Sequence, residues 1–470
     1  MNKPIKKTLS IFGIAMINVI AIDSLRTLPM SAEYGFSSIF YYCLTALFFF
    51  IPSALVAAEL ATGWPETGGV YIWVREAFGK KAGFVAIWLQ WFYNICWYPT
   101  IMSLIAATLA YTFNPSLVHS KTYMLTVIMM VFWMATYINS RGMKSSSRLT
   151  NLAAIIGTLV PMAFVIILGI VWVMTGHASA TPFSAKALIP DLSHANNLVL
   201  LTAVLYGFVG MEMSAAHAGD AKNPQRDYPK AMVWSVLIIL LTMVLGTLAI
   251  VVVVPVHQLN IVAGLLEAFK LFFTAFHLQW LMPIVACLIV FGAIGGAAAW
   301  MLGPSKGILV ASRDGCLPEK LATLNRYHAP VYVLLVQGVI FTILCSVFLL
   351  LPTVSSGFWA LTDVTSILAL VVYVMMFSAA ICLRYKRPEV KRAFTIPGGK
   401  AGIWIVCGAG LFSSVLTIMI GFLPPSQIPV GNVTTYEAVI IIGFVVGCVL
   451  PLLIYSITHW VSKKESAKEC

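Results

Sequence analysis

Asn18-Val19-Ile20-Ala21-Ile22-Asp23-Ser24-Leu25-Arg26-Thr27-Leu28-Pro29 lies inside an apolar run that begins near residue 9. Asp23, Ser24, Arg26 and Thr27, closed by a proline, interrupt a segment that otherwise reads as a membrane helix. An ionisable group at the centre of such a helix costs roughly 2.5–3.5 kcal/mol on insertion. Pro29 also has no N–H to offer the carbonyl of Leu25, four residues back. A helix broken at membrane depth is tolerated only where it is buried in protein or lines a wet cavity. The stretch therefore predicts an interrupted helix beside a polar site, with Ile22, Asp23 and Ser24 at the break and Arg26 just beyond it. A second reading stays open: Asp23 and Arg26, at i,i+3 spacing, can pair and neutralise each other.

The rest of the chain supports the membrane reading. Of 470 residues, 60% are hydrophobic and only 10% charged, and the mean hydropathy is +0.92. A soluble domain carries roughly 25% charged residues, so too few charges are present to cover so much apolar surface. This composition excludes a soluble enzyme, a secreted domain and a disordered chain. Seven of the nine cysteines, among them Cys96, Cys287 and Cys407, sit inside apolar runs, and no CxxC pair occurs. They read as small buried hydrophobes, with no disulfide expected. The eight histidines show no HExxH or paired ligand spacing, so neither a metal nor any other cofactor is expected.

A helix needs about 20 apolar residues to cross the hydrocarbon core. On that measure spans fall near residues 9–31, 36–60, 83–112, 122–139, 150–175, 197–217, 231–255, 279–302, 330–351, 358–383, 402–423 and 435–460. The expectation is an all-α integral membrane protein with twelve transmembrane helices in one domain, residues 1–460, and a short tail at 461–470. Lys3, Lys6 and Lys7 precede the first span in the manner of a leader, but the apolar run is too long for one. With the N-terminus inside, 25 of the 29 basic residues fall on the inner side and only Lys121, Lys186 and Lys270 outside. Positive charge collects in cytoplasmic loops, so both termini are expected in the cytoplasm. The net charge of +12 then reports topology and attraction to anionic lipid, with no nucleic acid partner implied. Two surface helices are expected, one around Glu267–Phe272 outside and one over Gly303–Ala322 inside.

Span 6 carries the second interruption: Leu205-Tyr206-Gly207-Phe208-Val209-Gly210-Met211-Glu212. Two glycines followed by an acid could serve close helix packing alone. Spans 1 and 6, however, are corresponding helices if ten spans form two five-helix halves. Paired interruptions at corresponding positions point to the binding site of an inverted-repeat transporter. Gly207, Phe208 and Gly210 are thus candidate substrate-binding residues, and Glu212 a candidate proton-coupling or gating group. His217 could neighbour Glu212 as a pH sensor or simply line the inner rim. Glu59, at the inner end of span 2, is a third acid within a span. Asp363 and Glu437 are read as solvated at the external interface. The aromatic run Trp88, Trp91, Phe92, Tyr93, Trp97 and Tyr98 reads as interfacial anchoring and packing.

Several strings carry a resemblance. They include Ala57-Ala58-Glu59-Leu60-Ala61-Thr62, Gly68-Gly69-Val70 with Trp73-Val74, and Asn223-Pro224-Gln225-Arg226-Asp227-Tyr228-Pro229-Lys230. Gly303-Pro304-Ser305-Lys306-Gly307, Phe394-Thr395-Ile396-Pro397-Gly398-Gly399-Lys400 and Phe422-Leu423-Pro424-Pro425 follow in the same order. Together they resemble the amino acid–polyamine–organocation superfamily, most closely its bacterial glutamate/GABA antiporter branch. The resemblance implies a LeuT-like fold with helices 1–5 and 6–10 as inverted repeats and two helices added. It implies alternating access in a bacterial inner membrane, and a substrate held at the breaks in helices 1 and 6. It also makes Glu212 the acid after the second break and Trp300 the helix 8 aromatic near the site. The chain departs from the branch in having Asp23 and Arg26 at the first break, and no acid just before Trp300. Its tail after Trp460 is too short for the branch's C-terminal plug.

The expected function is secondary active amino-acid transport, by exchange of amino acids or of an amino acid for its decarboxylated amine. Proton-coupled symport of an amino acid or polyamine is the alternative. An intramembrane enzyme would need a nucleophile–base or metal constellation, and a channel a filter-like loop; neither is evident in the sequence.

Overall fold

The computed structural model describes residues 10–65, 68–141, 155–213, 224–327 and 329–469, and every regular element among them is helical. Span 1 comprises α1 (Ile11–Ile22) and α2 (Leu28–Ala32). Ser10 opens α1 by accepting a hydrogen bond from the Gly13 N–H at 3.2 Å. The helix stops where Asp23 turns extended, with ψ at 113°. Span 2 runs from Gly35 to Gly63 and contains α3 (Ser38–Thr45) and α4 (Ile51–Gly63), joined by a π-turn. An amphipathic helix α5 (Val70–Phe78) leads into α6 (Lys80–Phe113), then α7 (Lys121–Ser140) and α8 (Val160–Met174). Span 6 is represented by the short α9 (Leu201–Tyr206). It is followed by α10 (Pro224–Val253), α11 (Gly264–Ala275), α12 (Met282–Arg313), α13 (Val331–Leu344) and α14 (Val347–Leu350). The chain closes with α15 (Val354–Lys386), α16 (Gly399–Gly421) and α17 (Val433–Glu469).

Among the described residues, ten stretches are long and apolar enough to cross a membrane, and they match spans 2–5 and 7–12 in order. The apolar helices at spans 1 and 6 are shorter, Ile11–Ile22 and Ala195–Tyr206, because each ends at its interruption. The expected outer surface helix is α11. The expected inner one is not formed: Gly303–Arg313 extends α12 as continuous helix, and only Glu319–Ala322 makes a separate 3-10 turn. Likewise α17 continues through Glu469, so the segment expected as a tail prolongs the last helix.

Prolines inside spans free carbonyls, and the fold supplies donors for two of them. Pro52 leaves the Phe48 carbonyl without its i+4 N–H, and the Ser413 hydroxyl of α16 donates to it at 3.0 Å. Pro304 does the same to the Trp300 carbonyl, which accepts from the Tyr98 hydroxyl of α6 at 3.1 Å. Spans 5 and 8 meet at two glycines: a Cβ placed on Gly157 would lie 2.3 Å from the Gly292 Cα, so only glycine permits this crossing. At the start of α15, Thr353 and Ser356 form a reciprocal capping box.

Helix α6 is the centre of the bundle, packed against α5, α7, α12, α15 and α17. Its aromatic residues Trp88, Trp91, Phe92, Tyr93 and Tyr98 are buried. They are core packing and do not form the interfacial anchors expected in part from the sequence. Their spacing covers all faces of a helix that is enclosed on all sides.

Candidate substrate site between two interrupted helices

The two breaks touch. Gly210, in the unwound stretch after α9, has φ +133°, a region that disfavours side chains, and a Cβ there would lie 2.9 Å from Ile22 Cγ1. Ile22 is the last residue of α1 and is buried. Phe208 fills the adjoining space, stacked on Phe50 with ring centroids 4.5 Å apart and edge-on to Tyr42 at 5.7 Å. Gly207 caps the end of α9, its N–H bonded to the Ala203 carbonyl at 2.8 Å. Ser24 is half-buried, and its carbonyl accepts from the Thr27 hydroxyl at 2.9 Å.

Asp23 and Arg26 are both buried, yet no ion pair joins them. The Asp23 carboxylate accepts from the Thr242 hydroxyl of α10 at 2.8 and 3.0 Å. The Arg26 guanidinium donates to Thr362 Oγ1 of α15 at 3.3 Å. It lies 5.7 Å from the Tyr206 ring centroid and 5.8 Å from that of Phe358, and its Nε has no partner. The self-neutralising pair is therefore not formed. The i,i+3 rule brings side chains together only on a helix, and here the helix ends between the two residues.

Glu212 is held by a residue from span 10. Its Oε2 accepts from the Tyr373 hydroxyl, whose oxygen in turn accepts from the Gly210 N–H at 2.9 Å. Tyr373 thus ties the unwound backbone of span 6 to its carboxylate, while Glu212 Oε1 has no partner. Sequence reading missed Tyr373, Tyr206 and Thr242. A signal existed for Tyr373: a phenol within Val371-Val372-Tyr373-Val374 needs a polar partner at membrane depth. His217 lies outside the described residues.

Trp300 is half-buried on α12, and its ring neighbour is Trp97, at 6.1 Å. The bond from Tyr98 to its carbonyl fixes α12 against α6 at that level. That ring contact places it beside α6.

At the end of the bundle that carries the basic loops, Glu59 of α4 is clasped by Arg384 of α15. Arg384 Nε donates to Oε1 at 2.8 Å, and its terminal nitrogen bonds Oε2. The Arg392 Nε stands 3.5 Å from Oε1, and the Ile396 N–H donates to Oε2 at 2.9 Å. Asp363, expected at a solvated interface, is instead fully buried on α15. Its helix begins at Val354, nine residues earlier, so the acid lies well inside the bundle.

These features define a multi-pass, all-helical membrane protein of the transporter class, with polar groups gathered where two helices are interrupted. The chain belongs to the amino acid permease family, whose model matches residues 7–446. An uncharacterized transporter from Legionella pneumophila is 50% identical over 448 residues, covering 95% of this chain and 96% of its own length. Two Lactococcus lactis proteins, from subspecies lactis and cremoris, are named glutamate/gamma-aminobutyrate antiporters. They are 29% and 30% identical, each over 96% of this chain and 91% of the relative. The family and these names indicate transport rather than catalysis, and a small amino acid or amine as cargo.

Proposed function

We propose that the chain is an amino-acid antiporter working by alternating access, and that it takes a substrate whose carboxylate meets Arg26. The observation that carries this reading is the state of Arg26: a buried guanidinium beside the first break, with no carboxylate in ion-pair distance among the described residues. An uncompensated cation at membrane depth is costly, and a bidentate carboxylate is its best complement. The substrate amine then falls to the unwound carbonyls and the acids at the breaks, Asp23 and Glu212. Ile22, Ser24, Gly207 and Gly210 form the backbone of the cradle, and Phe208 and Trp300 supply apolar walls. The relatives' names, glutamate/gamma-aminobutyrate antiporter, support exchange of an amino acid for its decarboxylated amine. We place the two five-helix halves as inverted repeats in a bacterial inner membrane, with both termini cytoplasmic, as the basic residues direct.

Counterflow in proteoliposomes, with labelled substrate competed against the amino acids, GABA and polyamines, tests the reading. Exchange requires internal substrate; uptake into empty vesicles would overturn it. In the same assay Arg26→Gln, which strands no partner because Asp23 bonds Thr242 instead, should lose affinity for amino acids by on the order of 10- to 100-fold, as expected for hydrogen bonds to a charged group worth about 1.5–3 kcal/mol. Affinity for an amine without a carboxylate should change little. Near-parental affinity for both would remove Arg26 from the site. Proton-coupled symport is the second reading, favoured by the unpartnered oxygen of Glu212.

A further inference from the structure

Asp363 is a buried titratable group that the substrate site does not use. It sits on α15 where α9, α16 and α17 converge. From α17 the Tyr436 hydroxyl donates to Asp363 Oδ2 at 3.1 Å, while that hydroxyl accepts from Trp359 Nε1 at 3.0 Å. From α9, Thr202 packs beside it, its own hydrogen committed to the Val199 carbonyl at 2.9 Å. From α16, Gly421 closes the space: a Cβ there would stand 3.2 Å from both Asp363 Oδ1 and Thr202 Cγ2. Oδ1 has no hydrogen-bond partner. No ion pair reaches the carboxylate among the described residues. Arg26 engages the preceding residue, Thr362, and makes no ion pair with Asp363. Tyr436 is the titratable side chain that faces it; Thr202 and Gly421 carry no charge.

A carboxylate shut away from water, with one neutral donor and no cation, is unfavourable at membrane depth. Neutralisation by a proton removes that cost, and a proton on Oδ1 also turns the orphan oxygen into a donor. The hydroxyl of Thr202, on the outer half of the interrupted span 6, is alongside to receive it. The arrangement differs from that of Glu212, whose partner Tyr373 binds the unwound backbone itself.

We propose that Asp363 is a proton-binding site, separate from Glu212, which carries its proton in the arrangement described here and releases it when α9 moves off the wall formed by α15, α16 and α17. The ligand is the proton alone: one carboxyl oxygen hemmed in by Gly421 leaves no coordination shell for a metal cation. The release of a proton tied to movement of α9 would make the transport cycle proton-linked through a group distinct from those assigned to the substrate.

Infrared spectroscopy of the full-length protein in lipid vesicles at neutral pH tests the protonation directly. The carbonyl-stretch region of protonated carboxyls should lose intensity in Asp363→Asn, and a distinct component should be lost in Glu212→Gln if that acid is protonated too. An Asp363→Asn spectrum identical to the parent in this region would overturn the proposal. Tyr436→Phe keeps the carboxyl and removes its donor, so the Asp363 component should shift in frequency; an unmoved spectrum would also count against it. The link to transport is read from substrate-driven pH change in weakly buffered vesicles. Asp363→Asn should lose the proton movement that accompanies exchange, whereas full retention would show that Asp363 takes no part in coupling.

Discussion

Ile22 and Gly210 meet at the point where both interrupted helices lose their regular form, and their separation leaves no space for a methyl group. A Cβ on Gly210 would lie 2.9 Å from Ile22 Cγ1, on a backbone with φ +133°. Strain of about 1–3 kcal/mol accompanies a non-glycine residue in such a region. Gly210→Ala is therefore expected to insert and yet exchange substrate poorly, with the loss in turnover exceeding the loss in membrane abundance. Parental turnover would show that the two breaks need no close contact.

Tyr373 stabilises the charged form of Glu212 by donating to it, and binds the Gly210 N–H through the same oxygen. A donor to a carboxylate favours ionisation, and its removal favours the neutral acid. Tyr373→Phe is expected to slow exchange and to move its pH profile towards higher pH. Glu212→Gln should flatten that profile while leaving insertion intact. Both are read from exchange rates across a pH series, and an unchanged profile in Glu212→Gln would sink the coupling role.

The clasp of Arg384 on Glu59 is a buried pair, with side-chain exposures of 14% and 2%. Removing one member of such a pair costs about 3–5 kcal/mol because the other charge is left uncompensated. Glu59→Gln strands two guanidiniums, Arg384 and Arg392, whereas Arg384→Gln leaves Arg392 beside the carboxylate. Thermal unfolding in detergent should therefore show a larger drop for Glu59→Gln than for Arg384→Gln. The reverse order would mean that Arg392 contributes nothing.

At the opposite end, Glu33 follows α2 and Glu267 lies on α11. Glu267 accepts from the Tyr111 hydroxyl at 3.1 Å and from the Asn260 N–H at 3.4 Å. Burial, then repulsion from Glu267, pushes Glu33 from the ordinary 4.5 up to about 8. Burial also raises Glu267, opposed by the Tyr111 bond and by the charges of His119 and Lys270. A carboxyl raised on folding binds its proton more tightly in the folded state. Its contribution to stability is complete below the unfolded value and is lost as pH rises through the folded one. Unfolding temperature should accordingly fall as pH rises from about 5 to about 9. The Glu33→Gln, Glu267→Gln double variant should reduce that slope, and an equal slope would place the titrating groups elsewhere.

The sequence by itself determined the membrane class, the order of the spans and the location of both interruptions. Each rests on chemistry that acts locally: apolar length, charge density, and a proline or glycine that the helix does not accommodate. Tertiary structure decided what the polar groups inside the spans do. Asp23 and Arg26 are three residues apart, yet their partners are Thr242 and Thr362, on α10 and α15. Asp363 reads as an interfacial acid until three other helices close around it, and Gly303–Arg313 reads as a separate surface helix until it continues α12. Trp300 belongs to α12, and only the packing of α6 shows which wall it joins. Burial and pairing depend on residues hundreds of positions away, and no local pattern encodes the distance between them.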